Sequence, residues 1–401
     1  MNLLVFNCGS SSLNYKLYQT TDNANLHLII KGKAHRVGTK GIEKPFIEHH
    51  INGSTSKYEC ALNNHQEAAK LVLKYLNDQS IKIDIIGHRF VHGGDFFKES
   101  VLLSEDNIID IESCLPLAPI HNPNSWSVIN ECKKILPKTP QYLSFDTAFH
   151  STLEPHIFSY ALPEQVRKKY GLRRFGFHGL SYQYISYKVP EIIDKPSDKL
   201  KMIVCHLGTG GSSVAAIKDG KSVDTSMGFS PTAGLIMSTR CGDIDPMIPV
   251  YLFENGNYSS QDINQILNKQ SGLLGVSEIS SDIRDLFKID DIKNNINAHL
   301  AIQMYSHQLV KYIGAYIAVL NGIDALVFTD DVGLQCRELR KMVCDEFNWY
   351  GIKLNDKKNN SNDFNNPTII SSDDSKATVI AVPTDEELMI GLEGINLKIP
   401  K

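Results

Sequence analysis

Short apolar runs separated by polar turns fill the first part of the chain, and a helical period replaces them only later. Runs at Leu3–Phe6, Tyr15–Gln19 and Leu28–Lys31 predict strands. The segment Asn64–Asn77 carries Ala68, Leu71, Val72, Tyr75 and Leu76 at helical spacing. Ile83–Val91, which holds Arg89, and Tyr142–Phe145, which runs into Asp146, read as further strands. Between them His121-Asn122-Pro123 predicts a loop. In the second half Met202–His206, Ala325–Thr329 and Ala377–Val382 predict strands, and His299–Leu320 a long apolar-rich helix. Lys357–Pro367 is Asn-rich and has no core pattern, so it predicts a polar loop.

One pattern occurs twice. Leu3–Tyr18 reads LLVFNCGSSSLNYKLY and Met202–Ile217 reads MIVCHLGTGGSSVAAI. Each is a strand, a small hydroxyl-rich turn and a second strand. Small residues let backbone N–H groups approach an anion closely. A lone Gly-Ser turn is equally an ordinary hairpin. Two in matching context predict two related lobes, each offering a turn to phosphate. The predicted lobes are 1–146 plus a tail from about 380 to 401, and 147–379.

At 401 residues the chain exceeds one typical core. Hydrophobic residues make up 42% and the net charge is −4, which speaks against nucleic acid or an anionic membrane as partner. No apolar run approaches the roughly 20 residues of a bilayer span. The N-terminus lacks the pattern of a secretory signal. Cys8, Cys60, Cys114, Cys132, Cys205, Cys241, Cys336 and Cys344 are scattered without a CxxC pair, which predicts reduced thiols in a cytoplasmic protein and no zinc site.

Several polar residues sit where strands meet turns, the place where open α/β sheets bind ligands. Arg89 lies in GHRFVHGG, Arg240 in STRCGDIDP and His178 in RFGFHGLS. Together they supply the positive charge and donors that phosphoryl transfer needs. Alone, each arginine is equally a structural ion pair, and His178 a core histidine. Asp146 and Glu386 follow strands and offer carboxylates for magnesium, with Asn7 placed to hold a metal-bound water. They equally fit as a cap before a helix and as a first-turn residue after Thr384.

The strings NCGSSSLNY, GHRFVHGG, LAPIHNP, FDTAFH, YGLRRFGFHGLS, CHLGTGGSS, SVDTSMGFSP, STRCGDIDP, SGLLGVS and VPTDEE follow the order of the acetate kinase family, so the chain resembles that family over nearly its whole length. The resemblance implies an α/β fold of two ribonuclease-H-like (actin-like ATPase) lobes with a nucleotide cleft between them, and a homodimer formed through the second lobe. It implies magnesium or manganese, ATP/ADP as co-substrate, and acetate as acceptor. By position it makes Asp146, Arg89, His178 and Arg240 catalytic. Val91, Ile120, Phe177 and Pro231 would form the acyl pocket. Ser10, Ser12, Asn14, His206, Leu207, Gly208, Thr209 and Gly210 would line the phosphates. Asp282, Ile283, Arg284 and the loop Asp331, Val332, Gly333, Leu334, Gln335 would hold the nucleoside. Asn7 and Glu386 would assist the metal. A carboxylate nucleophile is ionised at neutral pH, so no general base is required. Charge repulsion is then the barrier, and direct in-line transfer the expected chemistry.

The chain departs from the family pattern in places. Asn14 stands where Lys is usual, Thr209-Gly210-Gly211 carries an extra residue, and Ala233 replaces a common Glu. The usual Gly-Ile-Gly-Glu-Asn loop is Asp331-Val332-Gly333-Leu334-Gln335 and follows Asp330. Two adjacent carboxylates would repel nucleotide phosphates. The alternatives are therefore a propionate kinase, transfer from GTP or pyrophosphate, or a catalytically weakened binding protein of the same fold.

Overall fold

The structure, a computed structural model, describes residues 1–21, 25–39, 43–289, 295–361 and 364–397. Of the segments read from sequence, 362–363 of the Asn-rich loop and 398–401 of the tail lie outside the described residues. The chain divides into two compact units, Met1–Phe149 with Asp385–Lys401, and His150–Thr384.

Unit 1 is built on a sheet of β1 (Asn2–Cys8), β2 (Ser12–Gln19), β3 (His27–His35), β4 (Phe46–Ile51), β5 (Ser54–Glu59), β6 (Ile85–Phe90), β7 (Val101–Leu102) and β8 (Gln141–Phe145). Their order is β5-β4-β3-β2-β1-β6-β8-β7. The strands β1 to β5 form an antiparallel meander, while β1, β6 and β8 run parallel. Unit 2 repeats the plan with β9 (Lys201–Gly208), β10 (Gly211–Lys218), β11 (Lys221–Thr225), β12 (Ala325–Thr329), β13 (Thr368–Ile369) and β14 (Thr378–Ala381). Here β9 pairs antiparallel with β10 and parallel with β12, which in turn runs parallel to β14. This is an α/β protein in which one sheet topology occurs twice. The twice-read strand–turn–strand pattern is β1–β2 and β9–β10.

The parallel strands are mostly apolar and almost wholly buried, as strands covered by helices on both faces are. In unit 1 the helix His65–Asp78 starts at Asn64, whose side chain accepts the Glu67 N–H. It buries Ala68, Ala69, Val72, Leu73 and Leu76 against Leu4, Phe6, Leu13 and Tyr15. In unit 2 the long helix is Ile296–Val319, and its Ile302, Tyr305, Leu309 and Ile313 pack over β9 and β12 side chains such as Cys205 and Phe328.

Three expectations are corrected. His121-Asn122-Pro123 is not a loop. It opens the helix Asn122–Ile135, with the proline in the first turn where no N–H is needed. The loop expected at Asp331–Gln335 is the short helix Asp330–Gln335, and Asp330 enters it at a positive φ of 64°. The Asn-rich stretch is not wholly a surface loop. Asp356–Asn359 forms a helical turn, and buried Asn359 accepts the Arg340 Nε–H at 2.8 Å.

Unit 1 contains histidines that burial keeps neutral. His88, stacked on Phe6, has its pKa pushed down to about 4 by desolvation. His92 is pushed down to about 4 by the same cause. His49, packed flat on Tyr75, is lowered to about 4 by desolvation and then by His50. In the unfolded chain all three take up protons near ~6.5. Between that value and about 4 the unfolded state binds more protons, so stability rises with pH across this window. Denaturant unfolding followed from about pH 7 to about pH 5 should show unit 1 losing stability steadily. A flat profile would exclude these histidines as the cause.

Candidate active site

In unit 1 three adjacent parallel strands end together, and each delivers one polar side chain. Asn7 is the penultimate residue of β1, Arg89 the penultimate residue of β6, and β8 runs into Asp146. The Arg89 fork grips Asp146 twice, Nε to Oδ1 at 2.9 Å and Nη2 to Oδ2 at 2.6 Å. Its Nη1 also donates to Asn7 Oδ1 at 3.1 Å and lies 3.6 Å from Glu386. Asn7 in turn donates to Glu386 at 3.1 Å and to Glu387 at 2.9 Å. These glutamates occupy the first turn of the helix Glu386–Asn396, which Asp385 caps. Asp146 is only 1% exposed. Burial alone would push the Arg89 pKa down, but the charges of Asp146 and Glu386 raise it above its ordinary value. The geometry therefore brings Asn7, Arg89, Asp146 and Glu386 into one network. Sequence reasoning misses two of its neighbours, Glu387 and Lys16, which pairs with Asp385 at 2.6 Å. Glu387 follows Glu386 in VPTDEE, and only the helix geometry shows that both reach Asn7.

The remaining predicted residues of this unit are less connected. Ser10 is exposed at the β1–β2 turn and Ser12 begins β2. Asn14 lies in register with Asn7 on one side and Lys33 on the other, so the neighbouring strand carries a cation at the level where the family's lysine is missing. Val91 is buried, whereas Ile120 is 47% exposed.

Unit 2 places its polar groups around the β9–β10 turn. His178 stands at a positive φ of 60° as the residue that opens the helix Gly179–Ile192. Its Nδ1 meets Ser213 Oγ at 2.7 Å, and Tyr182 OH meets the same oxygen at 2.5 Å. The imidazoles of His178 and His206 stack with centroids 4.0 Å apart. His206 is held by Ser181 at 2.9 Å and by Asp330 at 3.1 Å. Gly176, also at positive φ, has no room for a Cβ, which would meet the His150 ring at 2.5 Å. A Cβ on Gly211 would lie 3.2 Å from Arg240 Nη1 and 3.5 Å from His178 Nε2, so these two side chains converge on one stretch of β10 backbone.

Arg240 differs from Arg89. It donates to the Pro231 carbonyl at 3.2 Å and to Met237 sulfur at 3.6 Å, with no carboxylate partner among the described residues. Desolvation lowers its pKa. A partly buried cation without a counter-charge is costly, and an anionic ligand would relieve it. Of the predicted acyl-pocket residues in this unit, Phe177 is buried and Pro231 half-buried beside Arg240.

The predicted nucleoside residues form a second network. Asp282 caps the helix Ile283–Lys288 and chelates Arg284, Nη2 to Oδ2 at 2.6 Å. Arg284 also reaches Asp331 at 3.2 Å and donates to Gln335. Leu207, Gly208, Ile283, Val332 and Gly333 are buried, Leu334 is half-buried, and Thr209 and Gly210 are exposed. Arg340, fully buried beside the helix Asp330–Gln335, donates to the carbonyls of Gly333 and Leu334 at 2.8 and 2.6 Å. No sequence motif marks it.

The Acetokinase family model matches residues 2–392. The chain belongs to the acetokinase family. It is 44% identical to acetate kinase of Clostridium novyi over 397 residues, covering 97% of this chain and 96% of that protein. The crystal structure of acetate kinase from Entamoeba histolytica superposes with a TM-score of 0.88 at 44% identity and covers 99% of both chains. A propionate kinase from Francisella tularensis superposes with a TM-score of 0.87 at 35% identity and covers 98% of both. These acetokinase-family relatives share the two-lobed actin-like ATPase fold, which is the architecture of the two repeated sheets. No helix of the described residues is long and apolar enough to cross a membrane.

Replacing Arg89 with Met should leave Asp146 buried without a partner. Removing one member of a buried pair costs about 3–5 kcal/mol. Chemical denaturation should show this loss, and Arg89→Lys should recover only part of it, since an ammonium cannot form the fork.

Proposed function

We propose that this enzyme is an acetate kinase that transfers the γ-phosphoryl group of ATP to acetate by direct in-line attack, giving acetyl phosphate and ADP, and that it runs reversibly. The observation that carries the reading is Arg240, a half-buried cation with no carboxylate partner among the described residues, converging with His178 on the Gly211 backbone. Such an arrangement suits the spread negative charge of a transferring phosphoryl group. Acetate needs no general base, because it is already a carboxylate at neutral pH. Asp146 fits that chemistry, since both its oxygens are occupied by Arg89 and it orients the guanidinium rather than taking a proton. Ser213 and Tyr182 fix the His178 ring, leaving Nε2 directed toward the Arg240 side.

The family implies magnesium, and the residues fit it. Among the described residues no three His, Cys, Asp or Glu side chains are grouped to hold a metal. Magnesium commonly takes one or two carboxylates and completes its shell with water and substrate phosphate. Glu386, held beside Asn7, supplies such a hard oxygen donor, and manganese could occupy the same ligands. When bound, the ion would add positive charge on the phosphate oxygens.

On this reading the metal residues and Val91 and Ile120 of the acyl pocket belong to unit 1, while Phe177 and Pro231 of that pocket and most of the nucleotide residues belong to unit 2. Cytoplasmic location fits eight free cysteines. A homodimer through unit 2 fits the helix Met247–Asn255, on which Met247, Tyr251 and Phe253 are 60% or more exposed. Changing Tyr251 and Phe253 together to Glu should yield a monomer in analytical ultracentrifugation. A dimer unaffected by that change would place the interface elsewhere.

Acyl phosphate trapped as hydroxamate from acetate, ATP and magnesium is the direct test. Arg240→Ala should lower turnover by about 100-fold or more. Propionate should be accepted less well, by a margin of the order of one methylene, roughly 10–200-fold. If no hydroxamate forms with any short acid, the reading is wrong.

A further inference from the structure

The turn Thr209–Gly210 in unit 2 is already holding an anion, and that anion belongs to the chain itself. Asp331 Oδ1 accepts the Thr209 N–H at 2.9 Å, and Oδ2 accepts the Thr209 hydroxyl at 3.0 Å. Oδ2 also accepts from Arg284 Nη2 at 3.2 Å, and Oδ1 from the Val332 N–H at 2.9 Å. Two backbone N–H groups, a hydroxyl and a guanidinium around two oxygens are what a phosphate group asks for. Asp330 does the same to the adjoining donor: its Oδ2 lies 3.1 Å from His206 Nε2. That oxygen also fills the place a Cβ on Gly208 would need.

We propose that Asp331 is a donor-affinity determinant: its carboxylate stands in for a phosphate on Thr209 and Arg284, and an incoming phosphoanhydride must displace it. The inference rests on the assignment of this turn to the phosphates of the phosphoryl donor. The carboxylate acts in two ways. It occupies the donors that would bind phosphate, and it adds a negative charge beside them that repels one. The Asp331 side chain is about one-third exposed, at 32%, so it can swing toward water when displaced. Arg284 would then be released toward the ligand while Asp282 still holds it by its bidentate contact.

The test is calorimetric titration of the full chain with ADP and, separately, with inorganic pyrophosphate. Asp331→Ala should tighten binding of both about tenfold or more, since it removes a competing charge and frees its donors. Asp331→Asn keeps the shape and removes only the charge, so it should tighten binding less. Adding Arg284→Gln to Asp331→Ala should abolish the gain, because the freed guanidinium is what the phosphate takes. Unchanged or weaker pyrophosphate binding in the single variants would overturn the proposal, as would no measurable binding by any variant. The Asn variant decides alone if the Ala variant does not fold. Binding is read without turnover. A tightened complex that makes no acetyl phosphate therefore refutes the kinase reading alone, and normal turnover with unchanged binding refutes this inference alone.

Discussion

Arg89 leaves water beside three carboxylates, and every other feature of the unit 1 site follows from how that charge is satisfied. Asp146 takes two of its N–H groups, Asn7 a third, and Asn7 then ties down both glutamates at the head of the last helix. A buried charge is tolerated only when paired and hydrogen-bonded, so the guanidinium, the amide and the acids have one mutual arrangement rather than many. This explains why the C-terminal segment returns to unit 1. Without Glu386 and Glu387, the amide of Asn7 would lose both of its carboxylate acceptors. Tyr142 supplies a second tie, donating its hydroxyl to the Ile390 carbonyl at 2.7 Å.

Unit 2 meets the same demand differently. Its strands repeat the topology of unit 1, but the positive groups at their ends are matched unevenly. Arg284 is held by Asp282 and Asp331, and His206 by Ser181 and Asp330. Among the described residues Arg240 has a carbonyl and a thioether in place of a carboxylate. The difference matters chemically. A guanidinium that lacks a counter-charge gains most from a ligand that supplies one. Arg89 and Arg240 therefore differ in how their charge is met, though both are arginines near the ends of apolar runs in the sequence.

Much of this architecture can be read from the residues alone. Strands β1, β9 and β12 are short apolar runs with clear ends, and the repeated strand–turn–strand pattern of β1–β2 and β9–β10 points to the doubled sheet. Of the candidate residues, Asn7, Arg89 and Asp146 sit at or just past the ends of such runs, where a backbone leaving a sheet exposes its side chains. What the sequence conceals has physical causes. His121-Asn122-Pro123 looks like a turn because proline usually ends helices, yet proline in a first turn costs nothing there. Arg340 looks like a surface charge on the helix Arg337–Asp345, and only the fold shows Asn359 and two carbonyls closing around it. Ser213 is one of several serines in a strand. Its importance comes from lying under both His178 and Tyr182, a relation that spans more than 30 residues of sequence.

The two aspartates at 330 and 331 show why a motif comparison and a geometric one give different kinds of knowledge. As sequence, they are simply unlike the family's glycine-rich loop, and the difference suggests electrostatic damage to a nucleotide site. In place, they are not loose charges. Asp331 is bonded to Thr209, Arg284 and its own helix, and Asp330 to His206. The positive φ of Asp330 is a modest backbone cost, tolerated more readily by Asp than by most side chains. Contacts that satisfy these donors within the chain stabilise that arrangement, and any ligand using the same donors must first overcome them. The carboxylates at 330 and 331 therefore order this part of unit 2 instead of standing as unmatched charge. The same turn is tied to its surroundings on both sides: Ser238, two residues before Arg240, donates to the Thr209 carbonyl at 2.7 Å, and His206, held by Asp330, stacks on His178.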